Sequence, residues 1–364
     1  MYIVAATSLL ACTGFADRKE VKTDPMAPMP VTVASPGYLV ETSFTALILQ
    51  PYANNLDYAA EALPFNYGNA QPAVSPSWVI PTISPDYQFG FDLGVSWIFH
   101  RAKSNLAAHW EWYHSSNESD TKNVGGSNNM VGPFFEIGPD ASTYKVAKGT
   151  THFHLDEVRL DYGTYVCFGS LFQANLFSGV SFARIKQHHF TRFQNFADTV
   201  VRTIDVPAQF MGAGPEVGLD FVYQVIKGFE FVGNAKAALF VGTFKNSTTF
   251  STLSNDLVLL GDANPNVQTT TVENKGGIVP AFQAKLGFAY EFCFWCCSMA
   301  RLEAGYQAQI YLNAIRSIDM GSEVALAAVG SVGSATTGVY ARTFDRTVSD
   351  FALAGPYIEI DVGF

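Results

Sequence analysis

The chain has 364 residues, of which 15% are charged, and its formal net charge of −10 gives an isoelectric point near 5.1. This acidity argues against nucleic acid as a partner, because phosphate contacts require clustered lysine and arginine. Hydrophobic residues make up 48% of the chain, yet no apolar run reaches the roughly 18–20 residues that a membrane helix needs. The apolar residues alternate with polar ones and do not form long runs, and this alternation predicts β-strands.

The amino-terminal segment precedes the alternating region. Residues 1–16 are apolar, end on small residues and are followed by charged ones, so they resemble an export signal cleaved after Ala16. Cys12 leaves a lipoprotein cleavage site open as an alternative. Residues 17–37 are rich in proline and lack periodicity, which predicts a periplasmic lead-in. Residues 38–364 are then predicted to form one domain.

Ten segments of that domain alternate apolar and polar residues with the two-residue period of a β-strand. In the segment 88–99, the apolar residues from Phe89 to Trp97 share one parity, and Gly90 and Asp92 share the other. The predicted strands are 39–52, 88–99, 106–114, 153–168, 172–183, 211–225, 229–244, 278–292, 300–313 and 348–364.

The connections between these segments alternate between short turns and long polar loops, and residues 186–189 fall in one of the long loops. Bacterial outer-membrane barrels have short periplasmic turns, long external loops and an even strand number. The sequence therefore predicts a transmembrane antiparallel up-and-down β-barrel of about ten strands. Hairpins hidden in the loops would raise the number to twelve or more. A soluble β-sandwich or lectin would explain the alternation but not the asymmetry of the connections.

The last predicted strand places Ile358, Ile360, Val362 and Phe364 on one parity. This pattern resembles the signal by which bacterial outer-membrane barrels are recognised for insertion. We therefore expect the protein in the outer membrane of a Gram-negative bacterium, with outer-membrane lipid and the barrel assembly machinery as partners.

Charged residues occupy the opposite parity of the strands. On a lipid-facing surface each Lys or Arg near the midplane would cost about 2–4 kcal/mol, so these residues are predicted to face the lumen. Acidic residues outnumber basic ones, which predicts weak cation selectivity if the lumen is a pore. The alternative is that the charges pair across strands and fill the lumen. The predicted pore-lining residues are Asp92, Glu111, Glu157, Arg159, Asp161, Glu216, Asp220, Lys236, Lys285, Arg301, Glu303, Glu359 and Asp361.

Several segments resemble the pore-forming major outer membrane protein family known from Legionella and the environmental chlamydiae. They are residues 46–51 with 56–58, 90–95, 110–115, 212–220 and 353–357. The resemblance implies an abundant envelope porin through which ions and small hydrophilic solutes diffuse passively. The alternative is a structural or adhesive surface barrel with a plugged lumen and no significant permeation.

Four cysteines, Cys167, Cys293, Cys296 and Cys297, lie at predicted periplasmic turns. Thiols form disulfides in an oxidising compartment, and four cysteines can pair in three ways. We expect one internal bridge together with cross-links to other envelope proteins or to a second copy, which resembles the disulfide-linked envelopes of chlamydia-like bacteria.

The sequence predicts neither a metal site nor a cofactor, because no second ligand pair accompanies the cysteines. It also predicts no enzymatic activity. Neither a Gly-x-Ser-x-Gly elbow nor a His-Glu-x-x-His motif occurs in the chain.

Overall fold

The structure is a computed structural model that describes residues 31–32, 39–63, 77–99, 104–116, 118–124, 130–132, 144–168, 171–195, 197–226, 228–252, 267–295, 298–326 and 337–363. None of these residues belongs to a helix that is long and apolar enough to cross a membrane.

Ten long strands within the described residues form a closed ring. They are β1 (Leu39–Ala53), β2 (Gln88–Phe99), β3 (Ser104–His114), β4 (Val146–Phe168), β5 (Phe172–Gln194), β6 (Val200–Ile226), β7 (Phe229–Thr252), β8 (Val267–Trp295), β9 (Ser298–Leu326) and β10 (Thr337–Gly363). Each strand pairs antiparallel with the next one along the chain, and β10 pairs antiparallel with β1. The prediction of an antiparallel up-and-down barrel of about ten strands is confirmed.

The strands on the long-loop side extend further than predicted. β5 continues to Gln194 and β6 begins at Val200, so residues 186–189, predicted in a loop, lie within a strand. The backbone ladder continues there, with Lys186 paired to His154 and to Gln209. The apolar pattern fades because the outward face of this extension is polar, although the hydrogen bonds of the ladder do not depend on that pattern.

Short strands accompany the barrel at both ends. Val31–Thr32, in the predicted lead-in, pairs with the periplasmic end of β4. At the external end, Glu118–Asn123 also pairs with β4, whereas Ala60–Leu63, Ser77–Val79 and Met130–Gly132 form a separate small sheet. The described parts of the long connections therefore lie at the external end of the barrel.

An apolar band covers the outer wall. Large apolar side chains such as Leu160 on β4, Val217 on β6 and Phe288 on β8 are each about half exposed. A continuous exposed apolar surface of this extent is unfavourable in water and suits contact with lipid.

Aromatic side chains mark the periplasmic edge of the band. Phe172, Phe221, Phe231 and Phe288 follow one another across β5 to β8, with successive ring centroids 6.2, 5.9 and 5.5 Å apart. Aromatic girdles at the membrane interface are characteristic of transmembrane β-barrels.

Candidate functional site in the barrel lumen

The core of the molecule lies inside the barrel, because alternate residues of each strand point inward. The inner face has two zones that differ in polarity. The charged layer, nearer the short turns, contains the thirteen charged residues predicted to line a pore. The apolar layer, nearer the long loops, includes Leu47, Leu49, Tyr113, Phe153, Leu155, Phe210, Phe240, Tyr311, Phe351 and Leu353, all of which are buried.

All thirteen predicted residues lie on the inner face. Asp220, Lys285 and Glu359 are half-buried, and the other ten are buried. The structure therefore brings these residues together and packs most of them against other side chains. Their role in lining a conducting pore stays a prediction.

The upper part of the charged layer is a network of ion pairs. A terminal nitrogen of Arg159 lies 2.5 Å from a carboxylate oxygen of Asp92. Lys236 lies 2.5 Å from Glu157, whose other oxygen accepts a hydrogen bond from the hydroxyl of Tyr311. β4, β7 and β9 supply Glu157, Lys236 and Tyr311, so this network joins walls that are not adjacent in the ring.

A second contact crosses the lumen at the same level. The amide nitrogen of Gln309 on β9 donates a 2.7 Å hydrogen bond to Glu111 on β3. These strands are separated in the ring by β10, β1 and β2 on one side and by β4 to β8 on the other. Side chains from opposite walls therefore meet at this level.

The lower part of the charged layer is organised around Arg301. Its guanidinium lies 2.7 Å from Glu303, 3.6 Å from Asp361 and 3.9 Å from Glu230. The hydroxyl of Tyr357 donates a 2.5 Å hydrogen bond to Glu303. One cation thus holds carboxylates from β7, β9 and β10.

The apolar layer fills the lumen above the charged layer. The rings of Phe153 and Phe351 are stacked with centroids 5.4 Å apart, and Tyr311 contacts both Phe351 and Phe240. Phe153, Phe240 and Phe351 have no exposed surface. Aromatic stacking and complete burial make this layer a barrier to water, so the lumen is closed within the part of the chain that the structure describes.

A small polar cavity of about 120 Å³ lies in the charged layer. Its walls include Ser43, Asn105, His109, Arg159 and Lys285. A cavity of this size with several polar partners can hold a few water molecules.

Carboxylates outnumber cations inside the lumen. Cross-strand pairing also places like charges side by side, with Glu111 next to Glu157 and Glu303 next to Glu359. Like charges directly opposite each other destabilise a sheet, and buried charges require compensation. The described inward-facing carboxylates are Glu41, Asp92, Glu111, Glu157, Asp161, Glu216, Asp220, Glu230, Glu291, Glu303, Glu359 and Asp361, and the Lys and Arg residues of the same layer are Arg159, Lys236, Lys285 and Arg301. Two further arginines, Arg202 and Arg316, lie nearer the long loops over the buried rings of Phe250 and Phe244.

The remaining predicted sites are described only in part. Ile358 and Ile360 of the predicted insertion signal are exposed on the outer wall and Val362 is half-buried, whereas Phe364 lies outside the described residues. Cys296 and Cys297 also lie outside them. For Cys167 and Cys293 the structure describes only the backbone, within β4 and β8. The side chains that the structure describes include no cluster of three or more His, Cys, Asp or Glu residues able to hold a metal ion.

Sequence reasoning missed the apolar layer. The inward parity of β4, β9 and β10 changes from charged residues to Phe153, Tyr311 and Phe351 as the strands leave the periplasmic half. That change in polarity along the strands is the sequence signal for the apolar layer. The same change would also be expected if the other face of the strands contacted lipid there.

The closed ring, the outer apolar band and the polar interior define an integral outer-membrane β-barrel. The chain belongs to the family described as Legionella pneumophila major outer membrane protein precursor, which matches residues 35–364. Family and fold together place the protein in the outer membrane. No curated protein sequence matches the chain.

Two solved structures show a distant likeness. The outer membrane protease OmpT from Escherichia coli is 11% identical with a TM-score of 0.40, over 90% of this chain and 97% of that chain. The Pseudomonas putida toluene transporter TodX is 8% identical with a TM-score of 0.32, over 90% of this chain and 89% of that chain. These values are too low to bear on function.

Proposed function

We propose that the protein is a narrow outer-membrane porin that admits small cations and small hydrophilic solutes and is weakly cation-selective. The observation that carries this proposal is the excess of carboxylates over Lys and Arg inside the lumen. A barrel interior that served only as packing would not need this excess of acidic side chains, because buried charges are stable only when they are compensated.

The positions of the acids support cation entry in particular. Glu111 and Glu157 are cross-strand neighbours in the upper part of the charged layer, and Glu303 and Glu359 are neighbours in its lower part. Like charges this close repel unless a cation or a proton compensates them, and Lys236 and Arg301 each form an ion pair with one acid of a pair, Glu157 and Glu303. Acidic side chains lining a passage attract cations and exclude anions.

In this proposal the contacts that cross the lumen are those of a closed pore. Permeation requires the Gln309–Glu111 and Tyr311–Glu157 hydrogen bonds to break and the Phe153–Phe351 stack to separate. A barrel of ten strands is only slightly wider than an eight-stranded barrel, which side chains fill completely. The conductance is therefore small.

The apolar layer favours a second candidate function. Phe153 and Phe351 are stacked with no exposed surface, as expected for a permanently plugged barrel that serves as a structural or adhesive protein of the envelope. Cross-links through Cys167, Cys293, Cys296 and Cys297 would suit either function. Neither proposal assigns an enzymatic activity, and both take outer-membrane lipid and the barrel assembly machinery as partners.

Single-channel recording of the refolded protein in a planar bilayer tests the porin. We expect small, discrete openings and, in a KCl gradient, a reversal potential that indicates preference for potassium over chloride. Folded, inserted protein without openings would favour the structural candidate. Preference for chloride would contradict the argument from lumen charge.

Recording with and without a reductant, alongside reducing and non-reducing gels, tests the contribution of disulfides.

A further inference from the structure

The outer wall of the barrel carries a group of basic side chains just beyond the apolar band on the external side. We call this group the basic patch. It lies on β3, β4 and β5 and consists of Lys148, Arg184, Lys186 and Arg192, together with His114, His152, His154 and His188.

The register of the strands brings these residues to one surface. Lys186 pairs with His154, His188 with His152, and Arg192 with Lys148. Residues paired directly across two strands point to the same face of a sheet. On β5 the patch therefore occupies four of the five outward-facing positions between residues 184 and 192, the exception being Phe190.

The outward orientation is fixed by the neighbouring residues. Val158 on β4 and Phe182 on β5 are the last exposed apolar residues of the band, and Asp156 and Arg184 occupy the next outward positions. The patch thus begins where the wall leaves the hydrocarbon region. Headgroups of the outer leaflet lie at this level.

The histidines of the patch are in contact. The rings of His152 and His188 have centroids 4.9 Å apart, and those of His114 and His154 are 5.7 Å apart. His152 lies close enough to its basic neighbours that burial first, and then their positive charges, lower its pKa. The distances between the histidine rings therefore show by themselves that several basic groups lie close together.

The patch has a surplus of positive charge. Asp156 lies 2.7 Å from His154, and Asp205 on β6 is paired with His188. Among the described residues, none of Lys148, Arg184, Lys186 and Arg192 forms an ion pair. The two acids of the patch are thus paired with histidines, and its Lys and Arg side chains are available to a ligand.

The rest of the external rim differs from this sector. The described external parts of the other strands also carry exposed basic residues, Lys245 on β7, Lys275 on β8 and Arg346 on β10. Each of them is paired across strands with an uncharged residue, Gln209, Phe244 and Ile318 respectively. Basic side chains are therefore not confined to this sector, but among the described residues of the outer wall it is here that they lie side by side across neighbouring strands.

We propose that the basic patch binds the phosphate groups of a phosphorylated lipid of the outer leaflet. Lys and Arg clusters bordering an apolar surface attract anionic headgroups, whose acyl chains can at the same time contact the band. Arg184 and Lys186 lie nearest the band and are the main phosphate ligands. This assignment does not depend on whether the lumen conducts.

Native mass spectrometry of the detergent-solubilised protein with bisphosphorylated lipid A tests the proposal. Each basic residue near an anionic lipid surface contributes roughly a factor of five in affinity, so R184Q/K186Q lowers the affinity about 25-fold. The matched control is K275Q/R346Q, which removes the same charge from exposed positions on β8 and β10. We expect this control to bind as the unchanged protein does, and R184K/K186R to retain binding.

Equal affinities of the two double variants would overturn the proposal. Equal binding of lipid A from which both phosphates have been removed would also overturn it, because the acyl chains alone would then account for the interaction. Inorganic phosphate distinguishes a lipid site from a general anion site. We expect it not to displace lipid A at equal concentration, and displacement would contradict the lipid assignment.

Discussion

Gln309 on β9 donates a 2.7 Å hydrogen bond to Glu111 on β3, from the opposite side of the barrel. The two residues are 198 positions apart in the chain. Their contact means that side chains span the full width of the lumen. The lumen is therefore crossed by a small number of polar contacts and filled above them by the aromatic layer.

Removing the side chains that span the lumen should increase its conductance. Q309A/Y311A eliminates the hydrogen bonds to Glu111 and Glu157 and the ring that contacts Phe351. We expect openings that are larger and more frequent than in the unchanged protein, as measured by single-channel recording. Tyr306→Ala truncates an exposed residue on the lipid-facing side of the same strand and serves as the control. Unchanged conductance in Q309A/Y311A would show that another layer closes the lumen.

Neutralising lumen carboxylates should reduce cation preference. E111Q/E303Q removes one charge from each pair of neighbouring acids and preserves side-chain size. The reversal potential in a KCl gradient should move towards zero, because fewer acidic groups then attract potassium. Asp198→Asn changes an exposed acid outside the lumen and should leave the reversal potential unchanged. A shift of equal size in both variants would assign selectivity to the protein's overall charge.

The strands were predicted best where the outer face contacts lipid and the inner face carries small or polar residues. The segment 88–99 was predicted to its ends because its outward residues face lipid throughout and its inward residues are small or polar. The external parts of β5 and β6 were missed, since both of their faces carry polar residues and the two-residue period has no contrast in polarity there. The position of Lys186 illustrates this limit.

The charged residues of the lumen could be predicted from parity alone, but their partners could not. Parity places Glu111 and Gln309 on the inner face, whereas their contact depends on the circumference of the barrel and the tilt of its strands. The closure of the lumen follows from those two global quantities. A prediction made strand by strand does not contain them.

Breaking the Lys236–Glu157 ion pair should destabilise the barrel. Lys236→Met leaves the buried carboxylate of Glu157 without its cation, and removing one partner of a buried pair typically costs about 3–5 kcal/mol. The free energy of unfolding by urea in lipid vesicles measures this loss. E157Q/K236M should lose less than Lys236→Met alone, because the charge of Glu157 is removed together with its cation and only Glu216, 3.8 Å from Lys236, loses a partner. Lys245→Met, at an exposed position of β7, is the control. Equal losses for Lys236→Met and the control would contradict the argument.

His189 should make the barrel sensitive to acid. It lies on β5 beyond the membrane band, and burial lowers its pKa from 6.5 to about 4, with the positive charge of His188 acting in the same direction. Well above pH 6.5 the imidazole is neutral in both states. As the pH falls from 6.5 to 4, the unfolded chain takes up a proton at this residue and the folded barrel does not.

Unfolding is therefore favoured at low pH by up to about 3 kcal/mol. His189→Asn should remove this part of the acid sensitivity and leave the stability at pH 7.5 nearly unchanged. Urea unfolding of both proteins at several pH values between 7.5 and 4 measures the difference, with His114→Asn, an exposed histidine, as the matched control. Parallel stability profiles for the unchanged protein and His189→Asn would show that His189 is protonated equally in the folded and unfolded states.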